Sequence, residues 1–586
     1  MPAQTNTADA PPPPGAVGPL TRGLAVLREL AARADGRASL GDLVHATGLA
    51  RSTVGRVAAT LACIGYARLE GRDVVLTPRL TELGNAYLAS TGLSDSLAPM
   101  ANALADALDE SVSLAVPDRD GVRFIHQALR RRTMALAFRI GDLVPVERTA
   151  AGALFATEWD AAQWHAWRDR RDSDPLDEGF PAVPPPHHDD ARAGFQQRAR
   201  AADEAGWSLD DQFIEPGLVA VAVPVRDADG RAVCALSAVS HTSRHSADSL
   251  SAAALTALRD TAAAMQACHT DARSAARSAA EAHPDVAPAG TPGPLRAARL
   301  RASKRELGRD FVESFARGLA VITAFDPAVS RIRPPAALTL TSAADATDLP
   351  RATARRALIT LEHLGYATHR NGLFRLTPRV LDLGFAHLSG LTLPDIAQPH
   401  LVELAGQVHE SASMAVLADD DVQYIARAPT VRITSVAVTV GTRFPAYATS
   451  LGRVLLAGLP NDEREKHLAR LEPVALTRHT VTSKQRLAKL LDTTRDRGFA
   501  VVDEELEEGL RSLAVPVRDP SGRTIAAVNV SMHASRRSTA QAESELLPAL
   551  REAAARIEAD LAAASRYGRG AAQESRQHTP KPSHRQ

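Results

Sequence analysis

LPRATARRALITLEHLGYATHRNGLFRLTPR, Leu349–Arg379, is read twice in this chain, because Leu49–Arg79 is LARSTVGRVAATLACIGYARLEGRDVVLTPR. Gly365-Tyr366 matches Gly65-Tyr66 and Leu376-Thr377-Pro378-Arg379 matches Leu76-Thr77-Pro78-Arg79, without a gap. Ala354, Ala357, Leu358, Leu361 and Leu364 recur at three and four residues, which is helical spacing, and Arg351, Arg355 and Glu362 fall off that stripe. Gly365 ends the helix, since a residue without Cβ enters the left-handed cap at little cost. Two extended runs follow, Tyr366–His369 and Leu373–Leu376, joined at Asn371-Gly372, which suits the positive φ of a tight hairpin. A basic helix trailed by a hairpin is the plan of a winged helix-turn-helix, whose helix enters the major groove of DNA. The competing reading is a solvated amphipathic helix with a surface hairpin; duplication with the frame intact favours the nucleic-acid reading.

The chain has 586 residues, too many for one core, and its 45% hydrophobic content is that of ordinary globular protein. Lys+Arg and Asp+Glu both number 68, so bulk charge does not point to nucleic acid. Locally, six arginines in Leu349–Arg379 face Glu362 alone, a patch able to pair with phosphates. Three scattered cysteines, Cys63, Cys234 and Cys268, support neither a disulfide framework nor a cysteine zinc site. With no signal peptide and no run long enough to span a bilayer, a cytoplasmic protein without membrane association is expected.

Outward from the repeated stretch, residues 1–19 are Pro- and Ala-rich and expected to be disordered. Residues 20–79 read as the first winged helix-turn-helix, with helices over Leu20–Ala34, Ser39–Ala46 (capped by Ser39) and Arg51–Cys63. A linker helix, Arg79–Ser90, leads through 80–96 into an effector domain over 97–270. Its strand candidates include Ser111–Val116, Val122–Gln127, Met134–Ile140, Leu218–Val225 and Ala232–Val239. Ala161–His188 reads as a polar insertion without clear structure. After a linker over 271–307 the programme restarts: a second winged helix-turn-helix over 308–379, a linker helix in 380–393 over Val380–Leu388, and a second effector domain over 394–566. Residues 567–586 read as a disordered tail. Glu110-Ser111, Gly141 and Gly152 recur as Glu410-Ser411, Gly441 and Gly452, and Ala222-Val223-Pro224-Val225 as Ala514-Val515-Pro516-Val517. The fold class is α+β: two copies of a winged helix-turn-helix followed by an α/β effector domain.

Both halves resemble the IclR family of bacterial transcriptional regulators, which pairs a winged helix-turn-helix with a GAF-like effector domain. The carrying residues are FVESFARGLAVITAF at Phe311–Phe325, PRATARRALITLEHLGY at Pro350–Tyr366, VGTRFPAYATSLGRVLLA at Val440–Ala457 and RGFAVVDEELEEGLRSLAVPVRD at Arg497–Asp519. Ser314–Leu319 and Pro445-Ala446-Tyr447 are similar to the branch governing aromatic-acid catabolism through the β-ketoadipate pathway. The tandem arrangement departs from the family's single unit.

The resemblance implies double-stranded DNA and a small-molecule effector as partners, a homo-oligomer, and no cofactor or metal. DNA would be met by Arg351, Thr353, Arg355 and Arg356 in the second copy and by Arg51, Ser52, Thr53 and Arg56 in the first. Gly55 replaces the counterpart of Arg355, so the first reader is expected to be the weaker. The implied effector residues are Tyr447, Ala448, Thr449, Ser450, Asp503, Ser512, Asn529 and Ser531, with simple N-capping as the other reading of Thr449-Ser450. In the first copy Asp211 and Ser237 persist, while Glu147, Ala150, Ala220 and Val239 replace Tyr447, Ser450, Ser512 and Ser531. Glu147 would repel an anion if it faced the pocket. Asp503-Glu504-Glu505 with Glu507-Glu508 lacks a placed His or nucleophile, and His187-His188 lacks partners at metal spacing, so an enzyme is not expected. The expected function is an effector-modulated DNA-binding regulator; the alternative is a ligand-binding or protein-interaction sensor with vestigial DNA-binding domains.

Overall fold

The computed structural model describes residues 13–33, 35–130, 138–186, 194–282, 301–330, 337–430 and 438–567. They fall into two compact units: one reaches Gly390 and resumes at Ser565, the other is Leu391–Ala564.

The first unit holds both winged helices and the first effector domain. In the first reader, helices Gly18–Ala31, Leu40–Thr47 and Arg51–Cys63 precede strands Ala67–Glu70 and Asp73–Leu76, with Arg37–Ser39 completing the sheet. Ser39 and Asp42 close a reciprocal capping box at the second helix, which Gly48 ends at φ 64. The second reader repeats this with Glu313–Thr323, Leu340–Thr347, Arg351–His363 and strands Ala367–Arg370 and Leu373–Leu376. Asp348 adopts the left-handed cap there (φ 51), and Asn371 (φ 52) with Gly372 (φ 76) forms the tight hairpin. A lone Leu338–Phe374 bridge stands where the first reader has its third strand.

The readers pack on each other reciprocally. Val17 N donates to Thr360 Oγ1 and Val312 N to Thr60 Oγ1, both at 2.9 Å. Their first helices meet at Gly23 and Gly318: a Cβ on Gly23 would lie 2.3 Å from the Phe315 ring, and one on Gly318 2.3 Å from Leu20. This is the self-complementary contact of a two-fold dimer, made within one chain.

The linkers differ. Thr81–Thr91 is a continuous helix, but the expected helix over Val380–Leu388 is broken. A 3₁₀ turn, Pro378–Asp382, gives way at Gly384 (φ 100) to the short helix Phe385–Leu388. The break lets Phe385 pack on Gly84, where a Cβ would lie 2.2 Å from its ring. The second reader's exit is also tied to the first effector domain. Arg123 donates to Asp118 (2.6 Å), to Asp382 (2.5 Å) and to the Gly141 carbonyl (2.6 Å), and Arg119 reaches Asp382 at 3.1 Å. Burial alone would raise the Asp118 carboxyl, yet Arg123 and Arg119 hold it below its usual range. The second copy has Ala418, Asp419 and Gln423 at those register positions.

Each effector domain is built on a six-stranded antiparallel sheet. In the first, the order is Leu143–Pro145, Gly121–Ala128, Ser111–Asp118, Ala232–His241, Leu218–Arg226 and Ser208–Asp211. Helices Leu93–Leu108 and Ala247–Ala282 pair beside it, and Ala150–Ala156 packs on its strands with Phe195–Ala205. The second unit repeats the order with Arg443–Pro445, Asp421–Ala428, Ser411–Ala418, Thr524–His533, Leu510–Arg518 and Ala500–Asp503. One core of that unit joins the sheet to Leu393–Val408 and Thr539–Ser565, and a second core joins it to Ser450–Ala457 and Lys484–Arg497.

Several expectations need correction. The first helix is Gly18–Ala31, which begins inside the stretch read as disordered, and residues 1–12 lie outside the described residues. Ala161–His188 contains a helix, Ala161–Ser173, started by an Asp160–Gln163 capping box and anchored by buried Trp167. It takes the place that Asn461–Arg470 holds in the second copy; three arginines and two aspartates along it hid the one buried face. His187-His188 lies outside the described residues. Of the strand candidate Met134–Ile140, residues 134–137 do too, and the edge strand is Leu143–Pro145. The helix Ala247–Ala282 runs into the expected linker and 301–307 is helical again, while 283–300 and 568–586 are outside the described residues. No helix among the described residues is long and apolar enough to cross a membrane.

Candidate DNA-reading helices and effector pocket

Val54, Val57, Ala58 and Leu61 bury one side of Arg51–Cys63, as Ala354, Ala357, Leu358 and Leu361 do in the second copy, which turns the polar residues outward. Arg351 and Arg355 are exposed, share a face four residues apart, and make no ion pair among the described residues. Thr353 is half-buried; Arg51 and Ser52 are exposed and Thr53 half-buried. Arg56 and Arg356 are exposed and also bond within the chain. Arg56 donates to the Arg309 carbonyl (2.7 Å) and Arg356 to that of Gly15 (3.4 Å), so both brace the pairing of the readers. Five residues after Arg351, Arg356 is rotated about 140° round the helix from it, toward the partner reader. Gly55 has open space around it, so the first copy lacks a cation, not room for one.

The second effector domain carries a cavity of about 550 Å³ between its sheet and the start of Ser450–Ala457, within the range of small-molecule sites. Of the residues carried over by resemblance, Ala448, Thr449, Ser512, Asn529 and Ser531 line it, and Tyr447, Ser450 and Asp503 do not. Tyr447 instead exchanges hydrogen bonds with Val474 O (2.8 Å) and N (3.0 Å). Ser450 is buried and donates to Ser512 Oγ at 2.8 Å, acting from behind the wall. Asp503 turns outward into a double contact with Arg511 (2.8 and 2.9 Å). Thr449 also caps the helix by accepting from Gly452 N at 3.0 Å. Asn529 donates to Ser531 Oγ at 3.0 Å, and its buried Oδ1 has no partner. Sequence reasoning missed Thr430, Tyr424, Phe444, His533 and Arg536 in the wall. The signal for one part was present, because the recurrent Glu410-Ser411 contributes both its residues.

The acidic run is divided: Glu507 and Glu508 line the cavity, while Glu504 and Glu505 have structural duties. Glu504 accepts from Gly509 N (2.7 Å), and Glu505 holds buried Arg453 (2.5 Å) and Val481 N (3.1 Å). Among the described residues no group of three His, Cys, Asp or Glu is placed to hold a metal.

The equivalent cavity in the first copy is only about 40 Å³. Ser237 lines it and Asp211 does not; its carboxyl is Asp210, one residue earlier, on the inward face of the strand. Glu147 does not face this cavity. It is buried and bound by Arg170 (2.6 Å) and Trp167 Nε1 (3.2 Å).

Burial pushes the Asp210 carboxyl up to about 7, against the lowering effects of Phe213 N–H, Arg198 and Arg148. A carboxyl raised above its unfolded value of 3.8 is neutral in both states at low pH and opposes folding increasingly as pH climbs from there through 7. Asp210→Asn is therefore expected to stabilise the protein at pH 8 by something on the order of 4 kcal/mol, with no gain below pH 4. Urea unfolding across that range checks it, and a gain independent of pH would refute the assignment.

With this geometry in place, the likeness to known proteins is direct. The IclR helix-turn-helix domain matches residues 19–71 and 314–370, and the bacterial transcriptional regulator IclR C-terminal domain matches 85–267 and 385–559. A Pca regulon regulatory protein of Pseudomonas putida is 45% identical over 242 residues, 41% of this chain and 81% of that protein. A p-hydroxybenzoate hydroxylase transcriptional activator of Acinetobacter baylyi is 34% identical over 250 residues, 42% of this chain and 90% of its own length. Among solved structures, a double mutant of the inducer-binding domain of the PobR transcription factor from Acinetobacter, in complex with 3-hydroxybenzoic acid, is 31% identical; it covers 29% of this chain and 98% of that one, with a TM-score of 0.28. Two matched helix-turn-helix domains, each followed by a matched effector domain, place this chain in the IclR family of DNA-binding transcriptional regulators, with the family's unit present twice.

Proposed function

We propose that this regulator reads its operator chiefly through Arg351 and Arg355 and responds to a hydroxylated aromatic acid held in the second effector domain. The observation that carries the effector reading is the unpartnered Asn529 Oδ1, buried in the wall of a cavity of about 550 Å³. A buried acceptor without a donor is costly, and a ligand hydroxyl would relieve it. Tyr424 and Phe444 offer aromatic faces, while Ser512, Ser531 and Thr449 at the start of Ser450–Ala457 offer polar contacts for a carboxylate. The likeness to a p-hydroxybenzoate hydroxylase transcriptional activator supports the same ligand class.

Asn529→Leu is expected to weaken 4-hydroxybenzoate binding about tenfold and benzoate binding much less, because only the former brings a hydroxyl. Titration calorimetry decides; equal losses for both acids would remove the hydroxyl from the assignment. The alternative, a sensor with vestigial readers, is disfavoured by Arg351 and Arg355, which are exposed and pair with no carboxylate among the described residues. A reader that pairs with phosphates loses affinity steeply as salt rises, whereas a vestigial one shows no such slope.

A further inference from the structure

We propose that the first effector domain is shut to carboxylic acids, by Arg148 behind the wall of its cavity and Asp210 in that wall, so that each chain takes up one acid, in the second domain. The second half of that statement rests on the functional reading above; the closure of the first cavity does not.

Arg148 takes the position of Ala448, which lines the open cavity of the second copy. Its buried guanidinium donates from Nε to the Phe213 carbonyl (3.0 Å), from Nη1 to Asp177 (3.1 Å) and to the Pro184 carbonyl (2.9 Å), and from Nη2 to the Ile214 carbonyl. Ile214 is part of the cavity wall. One side chain thus ties three segments together behind the Ile214 wall of the cavity, and we take this bracing to hold that wall shut. Arg170 reinforces the closure by binding Asp177 (3.0 Å), Asp120 (2.7 Å) and Glu147 (2.6 Å) together. Opening would strip buried charges of their partners, a change that folded proteins resist strongly.

Charge adds a second barrier. Asp210 is only 1% exposed and stands opposite Ala220, where the second copy pairs Val502 with Ser512. At pH 8 a ligand carboxylate brought beside Asp210 must repel it or force a proton onto it, which costs up to about tenfold in affinity. The hydroxyls of Ser512 and Ser531 are also gone, replaced by Ala220 and Val239.

All four tryptophans of the chain, Trp159, Trp164, Trp167 and Trp207, lie in this first domain. Trp159, Trp164 and Trp167 cluster on Phe195, with ring centroids 6.0, 5.6 and 5.1 Å from it. Tryptophan emission therefore reports the first domain alone. The full chain titrated with 4-hydroxybenzoate is expected to bind one acid per chain by calorimetry, with tryptophan emission unchanged. Two acids per chain, or a saturable change in emission, would overturn the proposal. No heat with unchanged emission would sink the acid reading of the second cavity and still support closure of the first. The double variant Arg148→Ala, Asp210→Asn is expected to gain a saturable emission change. If it is folded by near-ultraviolet circular dichroism and stays silent, the proposed barriers are wrong. Should it not fold, Asp210→Asn alone, equal in shape, is expected to leave emission unchanged because Arg148 still holds its three segments together, and a saturable emission change in that variant overturns the role of Arg148.

Discussion

Arg123→Ala is expected to destabilise the first unit by about 2–4 kcal/mol, because it takes the nearer of two cations from a buried carboxylate and leaves only Arg119, at 3.4 Å. Asp118 is 4% exposed, and Arg123 is its closest counter-charge at 2.6 Å. The same side chain spans to Asp382 at the second reader's exit and to the Gly141 carbonyl, so one truncation releases three acceptors. Urea unfolding measures the loss. Amide exchange shows where it falls: residues 378–388 are expected to exchange faster, and the helix Arg51–Cys63 is not. Converting the trio together, Arg123→Gln with Asp118→Asn and Asp382→Asn, should recover much of the stability, since it removes the charges instead of stranding one. A loss below 1 kcal/mol for Arg123→Ala would mean that Arg119 alone satisfies Asp118.

Arg351→Ala with Arg355→Ala is expected to reduce operator affinity by two to four orders of magnitude, at about 1–3 kcal/mol for each arginine contact to guanine. If either contact goes to phosphate instead, the loss is uniform across sequences and the salt slope falls by roughly one for each. Arg51→Ala in the first reader should cost less, because Gly55 leaves that helix without the second cation on the same face. Binding measured by gel shift at two salt concentrations separates these outcomes. Unchanged affinity in the double variant would mean that neither arginine touches DNA.

How much of this was legible beforehand depends on where the deciding physics lies. The readers were legible almost to the residue: Arg51–Cys63 is the helix that the spacing gives, and Asn371-Gly372 the turn. Local rules govern them, namely apolar periodicity, caps and turn chemistry. The broken second linker was not legible, because Gly384 is read as a break only once Phe385 is seen packed on Gly84, far away in sequence. Ala161–Ser173 was hidden by its composition, since one buried tryptophan fixes a helix whose other turns are charged.

The site was half legible. Family resemblance brought Ala448, Thr449, Ser512, Asn529 and Ser531 to one cavity, but it could not tell wall from support: Ser450 and Tyr447 stand behind the wall and Asp503 faces outward. In the first copy the acid that matters is Asp210 and not its neighbour Asp211, a difference of one residue that reverses the face of the strand. Arg56 and Arg356 carry the charge expected of DNA contacts, yet they grip carbonyls of the opposite reader. Charge and helix position show that a cation is available; only the tertiary neighbour shows what it holds.

The Gly23–Phe315 and Gly318–Leu20 crossings have a consequence for heredity as well as for packing. In a symmetric homodimer every substitution is inherited by both halves at once, so the two target sequences must change in step. Here each half mutates alone, so if Arg351 and Arg355 read DNA as proposed, the recognised site is free to become lopsided, stricter under them than under Gly55. Dilution inside a dividing cell cannot separate the two readers either, since one polypeptide joins them.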